Sequence, residues 1–225
     1  MRKGHEIALF RRSCASRMRD LRFFLFPVIA SVCLSCAAPV PRPPEATLER
    51  LWQSHSASHS PLTQWSLRGR LAVRTESQGG QASIAWQRDP GRQTIRLNGP
   101  LGRGVVRVTQ DESGAHLTDA SGNTGDAADA TELLLRFTGW EIPMASLDWW
   151  VRGLPVPDVT MQRELNDEGR LARLQQQGWE VEFSHYAQID SSRVLPDRIV
   201  LRHAPSGRST TLEVRLVIDH WEGLK

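Results

Sequence analysis

The chain has 225 residues, enough for one sizeable hydrophobic core or two small ones, and its formal net charge is +3. Residues 1–35 hold seven of the 28 Lys and Arg but only two of the 25 Asp and Glu, so residues 36–225 carry a net charge of −2. We therefore expect no basic stripe in the body of the chain. This excludes nucleic acid as a partner, because nucleic-acid-binding proteins neutralise phosphates with clustered Lys and Arg.

The chain opens with a targeting segment. The run from Phe23 to Leu34 is almost entirely apolar and follows two arginines. Twelve helical residues span about 18 Å, which is too short for a bilayer core of about 30 Å. We therefore predict that residues 1–35 are a secretory signal, with Met18 as a candidate for the true start, and not a transmembrane anchor.

All three cysteines, Cys14, Cys33 and Cys36, lie at or before the end of this segment. Leu34-Ser35-Cys36-Ala37 resembles a lipobox, although the leucine and Cys33 at the second and third positions before Cys36 depart from the usual pattern. The sequence predicts Cys36 as the lipidated first residue of the mature protein. A redox role for the Cys-x-x-Cys pair is the weaker alternative, because the pair ends an apolar signal and does not lie at a strand–helix turn.

Four prolines within residues 39–44 predict an extended tether over residues 36–46. Thr47 is then expected to cap a helix of about a dozen residues. His55 and His59 lie four residues apart on that helix, so together they could bind a metal ion. Since no acid or cysteine is placed to complete the ligand set, we predict no metal site and an exposed polar face there.

From residue 64 onwards apolar and polar residues alternate, which is typical of antiparallel strands with one apolar and one solvated face. The solvated face is unusually rich in arginine. The predicted strands cover residues 64–74, 80–88, 95–97, 105–109, 115–119, 158–164, 170–177, 179–186, 195–204 and 209–219.

Two further helices are predicted between these strands, one from Asp126 or Asp129 up to Gly139 and one over residues 143–151. An open sheet of about ten strands tends to curl. Residues 47–225 are therefore predicted to form one domain, mainly β with α. We expect a curled antiparallel sheet, an incomplete β-barrel of about ten strands, with about three helices covering an apolar cavity.

The sequence lacks the motifs of an enzyme. It has no Gly-x-Ser-x-Gly, no His-Glu-x-x-His and no glycine-rich phosphate loop, and its histidines are scattered. His185 and His203 share strand faces with apolar residues and are expected at the interior or rim. Glu180 and Glu182 are expected on a solvated face. We predict a protein that is not an enzyme and needs no cofactor.

Tryptophan is unusually frequent: the chain has eight Trp and one Tyr, and most Trp fall on faces predicted to point inward. Two interpretations stay open, an ordinary bulky core and an apolar hollow walled by rigid rings. On the second interpretation, the residues expected to line the cavity are Leu67, Leu71, Ile84, Trp86, Ile95, Leu97, Trp149, Trp150, Trp179 and Phe183.

In order and spacing, these segments resemble the LolB family of outer-membrane lipoprotein receptors over nearly all of residues 36–225. The most telling parts are Gly-Trp-Glu-Ile-Pro at 139–143 and Trp-Val-Arg-Gly-Leu-Pro at 150–155. The resemblance implies a monomeric half-barrel that accepts cargo lipoproteins from the soluble periplasmic carrier LolA. It further implies release of their acyl chains into the inner leaflet of the outer membrane. Ala37 is compatible with outer-membrane sorting.

Two other functions stay open: a lipid-anchored binding module for another apolar ligand, and a structural envelope lipoprotein with a filled core. Leu101 is the last candidate residue, between Pro100 and Gly102 in a connection rich in turn formers. We expect it either to fold back onto the sheet or to project outward and contact the membrane, where Arg103 could meet anionic headgroups.

If Cys36 carries the anchor, Cys36→Ala should leave an unlipidated precursor that keeps its signal segment. The mass of the chain and its fatty-acid content check this expectation. Mature protein of normal mass that carries no fatty acid would contradict it.

Overall fold

The computed structural model describes residues 42–99, 104–204 and 211–225. Within these residues the chain forms three helices and eleven strands. The helices are α1 (Glu45–His59), α2 (Ala130–Thr138) and α3 (Met144–Trp150). The strands are β1 (Trp65–Arg74), β2 (Gly79–Asp89), β3 (Arg92–Asn98), β4 (Val105–Asp111), β5 (Gly114–Asp119), β6 (Thr124–Ala127), β7 (Met161–Leu165), β8 (Leu171–Gln176), β9 (Trp179–Gln188), β10 (Val194–His203) and β11 (Leu212–Glu222).

All eleven strands form one antiparallel sheet in the order β6-β5-β4-β3-β2-β1-β11-β10-β9-β8-β7. Strands β1 to β6 form one half of the sheet. Helices α2 and α3 follow β6 along the chain, and strands β7 to β11 then form the other half. β11 then pairs with β1, with Leu71 opposite Leu216. Because β6 and β7 stand at the two ends of this order, the sheet is an incomplete barrel, and the predicted fold class is confirmed.

One face of the sheet carries the core. Along β1, Trp65, Leu67 and Val73 are buried, and the arginines between them are exposed. Trp52 of α1, Leu133 of α2 and Trp150 of α3 belong to the same buried cluster as the sheet residues. The helices therefore cover the apolar face, and the opposite, convex face is left to solvent.

A cluster of three tryptophan rings fills one end of this core. The ring of Trp65 lies 4.9 Å from that of Trp86 and 5.6 Å from that of Trp221, both edge-on. Next to it, the buried guanidinium of Arg152 donates to the carbonyl oxygens of His59 and Leu62, at 3.3 and 3.2 Å. These bonds fasten the end of α3 to the segment that joins α1 to β1.

Two local predictions are wrong, and one of the two caps predicted for α2 is confirmed. α1 begins at Glu45 after Pro44, and Thr47 does not cap it. β6 was not predicted, because Gly125 and Asp126 are turn formers. Asp129 is the cap of α2, since its carboxylate accepts from the Glu132 N–H at 2.9 Å.

His185 is not an interior or rim residue but is exposed, with its Nδ1 2.6 Å from Asp197. The register between β9 and β10 shifts on either side of Arg198, which breaks the alternation, and Tyr186 packs beside Phe183 instead. His203 does lie at the rim, stacked on Trp179 at 4.9 Å. In the described part of the chain, no helix has the length and apolar character to cross a bilayer.

β1 and β11 lie very close together at Gly69. A β-carbon there would lie 2.0 Å from the Val217 carbonyl oxygen. We expect Gly69→Ala to lower the free energy of unfolding by about 2 kcal/mol or more, because backbone and not a flexible side chain must move. Ser66→Ala, on the same strand, should change it by less than about 0.5 kcal/mol. Urea unfolding checks both, and equal midpoints would contradict the prediction.

Candidate functional site

An apolar cavity of about 50 Å³ lies between the sheet and the α2–α3 segment. None of its described lining residues carries a charge. Three parts of the fold contribute: strands β1 to β3, strands β10 and β11, and α2 and α3 with the connection between them. The lining residues are Leu71, Ile84, Trp86, Ile95, Leu97, Leu134, Thr138, Trp140, Ile142, Met144, Leu147, Leu201, Val214 and Leu216.

The cavity adjoins the three-tryptophan cluster, with Trp86 common to both, and extends from there toward the other end of the sheet. Ile84 pairs with Leu97, and the next pair, Ser83 with Asn98, ends β3. The connection between β3 and β4 therefore leaves the sheet at the cavity end. Its two ends meet where the Gly99 N–H donates to the Gly104 carbonyl oxygen at 3.1 Å. Leu101 falls within residues 100–103, outside the described residues, so its orientation stays a prediction.

The structure brings five of the ten predicted cavity residues together around this space: Leu71, Ile84, Trp86, Ile95 and Leu97. The other five lie elsewhere. Leu67 is buried beside Trp86 and Trp221, its partners across the two neighbouring strands, in the filled end of the core. Trp150, Trp179 and Phe183 are buried in the half of the core formed by β8 and β9. Trp149 is half-buried on the outside of α3, with the Arg152 guanidinium 4.5 Å above its ring.

Sequence reasoning missed the walls that come from α2, α3, β10 and β11. Leu201, Val214 and Leu216 could have been found, because they alternate with polar residues just as the β1 to β3 residues do. Trp140 and Ile142 lie in an irregular connection without periodicity, so no pattern pointed to them. A wider surface cleft of about 570 Å³ is lined by Trp179, one of the ten predicted residues, but also by the amide and charged side chains of Gln175, Glu180 and Arg202, so it suits an apolar ligand less well.

α2 covers the cavity with little packing on its outer side. Leu133 and Leu134 face inward, but Leu135 and Phe137 remain 42% and 43% exposed. Gly139, with φ of +74°, ends the helix in the left-handed conformation that glycine favours. The outer side of α2 thus carries apolar surface that remains partly exposed to solvent.

The exposed polar face predicted for α1 is wrong. His59 is 1% exposed, and its ring centroid lies 4.2 Å from that of half-buried His55, which in turn faces Tyr186. Both Nε2 atoms are buried and have no hydrogen-bond partner among the described residues. Burial, then repulsion by His59 and Arg170, lowers the pKa of His55 to about 3, and burial also lowers the pKa of His59. Within the described ranges no group of three or more His, Cys, Asp or Glu could hold a metal ion.

Known proteins resemble this chain over nearly the whole of the domain described above. A family model described as "Outer membrane lipoprotein LolB" matches residues 63–221. The outer-membrane lipoprotein LolB of Pseudomonas aeruginosa PAO1 is 36% identical over 171 residues, covering 76% of this chain and 80% of that protein. The protein of the same name from Stutzerimonas stutzeri A1501 is 34% identical over 209 residues, or 91% and 97% of the two chains.

Among solved structures, a LolA superfamily protein from Nitrosomonas europaea covers 79% of this chain and 93% of its own. The two are 8% identical, and the TM-score of 0.47 is too low to support an argument.

The buried histidine pair predicts how stability depends on pH. The unfolded chain binds a proton at His55 near its ordinary pKa of 6.5, but the folded chain does so only near pH 3. The free energy of unfolding should therefore fall as pH drops from about 6.5 toward 3. His55→Gln should make this fall shallower, as urea unfolding at several pH values would show. An unchanged slope would contradict the prediction.

Proposed function

Because the chain belongs to the outer membrane lipoprotein LolB family, we propose that its cavity receives the acyl chains of other lipoproteins and passes them to the outer membrane. Membership establishes a role in outer-membrane lipoprotein localisation. The proposal adds that the periplasmic carrier LolA hands the cargo over, and that the inner leaflet receives it. The observation that carries the proposal is the uncharged cavity beneath α2 and α3, which suits hydrocarbon and little else.

The physical need for such a cavity follows from the cargo. Exposing an acyl chain to water costs about 0.8 kcal/mol per methylene, so several chains together cost tens of kcal/mol. Cargo can therefore cross the periplasm only while its chains are buried. No nucleotide or other energy source is needed at this step if each successive site binds the chains more favourably than the last.

The size of the cavity indicates that loading requires movement. An engineered cavity of about 150 Å³ binds benzene, so the present volume of about 50 Å³ is too small for an acyl chain. α2 and the connection over residues 139–143 are the parts that would move aside. Their apolar residues Leu135 and Phe137 are already half-exposed, so displacing α2 uncovers less new apolar surface than displacing a fully packed helix would.

The N-terminal part of the proposal rests on the sequence. Residues 1–35 serve as the signal, Cys36 carries the lipid, and residues 36–46 form the tether that leads into the domain over residues 47–225. The chain acts as a monomer. Leu101, in the connection at the cavity end, contacts the membrane when cargo is released.

A charge placed in the cavity tests the proposal. Ile84→Asp should lower acceptance of a lipoprotein from LolA at least about tenfold, since an unpaired buried carboxylate costs several kcal/mol beside hydrocarbon. Gln175→Asp, on the exposed face of β8 next to buried Leu174, is the control and should leave transfer unchanged. Transfer is measured with purified carrier and a labelled lipoprotein, alongside thermal melting of each variant.

A second variant keeps the test decisive if Ile84→Asp fails to fold. Ile84→Phe stays apolar but fills the cavity, so it should fold and still transfer poorly. Normal transfer by a folded Ile84→Phe would contradict acyl binding at this site. Uptake of an apolar dye without acceptance from the carrier would favour a binding module for another apolar ligand. Neither uptake nor transfer would favour a filled structural core.

A further inference from the structure

The convex face of β1 to β4 carries a concentration of arginines. Arg96 on β3 lies directly opposite Arg107 on β4, and both are exposed. Ala85 on β2 is the partner of Arg96 on one side and of Arg68 of β1 on the other. Four adjacent strands therefore place one row of residues on the solvent-exposed face of the sheet: Arg107, Arg96, Ala85 and Arg68. The expectation of no basic stripe is therefore wrong. The net charge of residues 36–225 is a sum over the whole domain, and such a sum does not show that arginines are concentrated on one face.

The other half of the same face is built differently. There Arg173 pairs with Glu164 and Glu180, and Arg202 pairs with Glu182 and Glu213, at 3.0 to 3.5 Å. In the β1 to β4 half, Arg68 lies 3.9 Å from Glu222 and Arg70 lies 3.1 Å from Asp219, but Arg96 and Arg107 have no carboxylate oxygen within 4.0 Å among the described residues. The half around Arg173 and Arg202 is thus charge-balanced, whereas the cross-strand pair Arg96 and Arg107 presents two guanidinium groups without acidic partners.

This arrangement is unfavourable for folding alone. Like charges directly opposite each other on neighbouring strands destabilise a sheet. A feature that breaks a local rule without a compensating contact in the fold is expected where a surface has a binding role. Paired guanidinium groups match the oxygen geometry of phosphate groups.

The attachment of the domain keeps this face near a membrane. Arg42, the first described residue, donates to the Leu165 carbonyl oxygen at 2.8 Å. Following the registers across the sheet, Leu165 lies level with Arg198, Val217 and Arg70, and therefore with Asn98 at the end of β3. The six residues from Cys36 to Arg42 reach about 20 Å at most, so an anchor at Cys36 keeps this part of the domain within that distance of the leaflet.

The anchor at Cys36 rests on the proposed function, whereas the arginine row does not. We propose that the convex face of β1 to β4, centred on Arg96 and Arg107, binds anionic phospholipid headgroups and holds the domain against the leaflet that receives cargo.

The test uses the full lipidated chain in vesicles of phosphatidylcholine, with or without phosphatidylglycerol. A fluorophore on Ala85→Cys, inside the arginine row, reports proximity to quenchers on the lipid headgroups. Gln175→Cys on the charge-balanced half is the control site. The chain's own cysteines either lie in the predicted signal or carry the predicted lipid. We expect quenching at position 85 only, stronger with phosphatidylglycerol and weakened by salt.

Replacing both Arg96 and Arg107 tests whether these two side chains bind the headgroups. Arg96→Gln with Arg107→Gln should lower the ratio of docked to undocked domain roughly 30-fold, because each arginine near an anionic leaflet contributes about 1 kcal/mol. Arg173→Gln with Arg215→Gln removes the same charge from the other half and should leave the ratio unchanged. Equal quenching at both sites, or no effect of the Arg96 and Arg107 changes, would overturn the proposal.

Two further outcomes separate the hypotheses. If the Arg96 and Arg107 changes reduce acceptance from the carrier but not headgroup quenching, the face binds an acidic protein and the lipid proposal is wrong. If Ile84→Phe transfers cargo normally while quenching at position 85 persists, acyl binding in the cavity fails and the docking surface stands.

Discussion

The antiparallel pairing of the first strand with the last is the contact on which the rest of the molecule depends. Each half of the sheet consists of consecutive strands, and among the described strands only β1 and β11 join the two halves. Their close approach at Gly69, where a β-carbon would meet backbone 2.0 Å away, sits at a shift in register. Register irregularities of this kind bend and twist a sheet. The apolar face thereby becomes concave, which gives the helices a surface to cover and leaves the convex face to solvent.

Much of this architecture could be predicted because a period of two is a strong signal. Ten of the eleven strands follow alternating apolar and polar residues, and Asp129 and Gly139 mark the ends of α2 by well-understood capping chemistry. The failures are equally physical. β6 is only four residues long and contains Gly125 and Asp126. His185 was misplaced because the bulge in β10 is set by pairing across strands, which no local pattern reports.

The candidate site was predicted only in part. Alternation tells which face a residue occupies but not how far along the domain it lies. Leu67 and Ile84 both point inward, yet one packs among tryptophans and the other lines the cavity. The difference arises from how the large rings of Trp65, Trp86 and Trp221 fit together. Composition likewise gave the net charge of the domain but not its distribution, which depends on the pairing that sets Arg96 opposite Arg107.

The buried side chain of Arg152 makes local unfolding of α3 less favourable than local unfolding of α2. Its buried guanidinium ties the end of α3 to the carbonyl oxygens of His59 and Leu62, and removing it would leave several buried polar groups without partners. α2 has no buried charged attachment of this kind among the described residues: the Ala130 N–H donates to the Gln110 side chain and the Thr131 hydroxyl accepts from the Met144 N–H, both only partly buried. Its ion pair, Arg136 with Glu132, is exposed. Parts of a protein held by few buried contacts open at the lowest free energy. Amide hydrogens of α2 should accordingly exchange with solvent well before those of α3. The two neighbouring helices would then differ in how readily each of them unfolds.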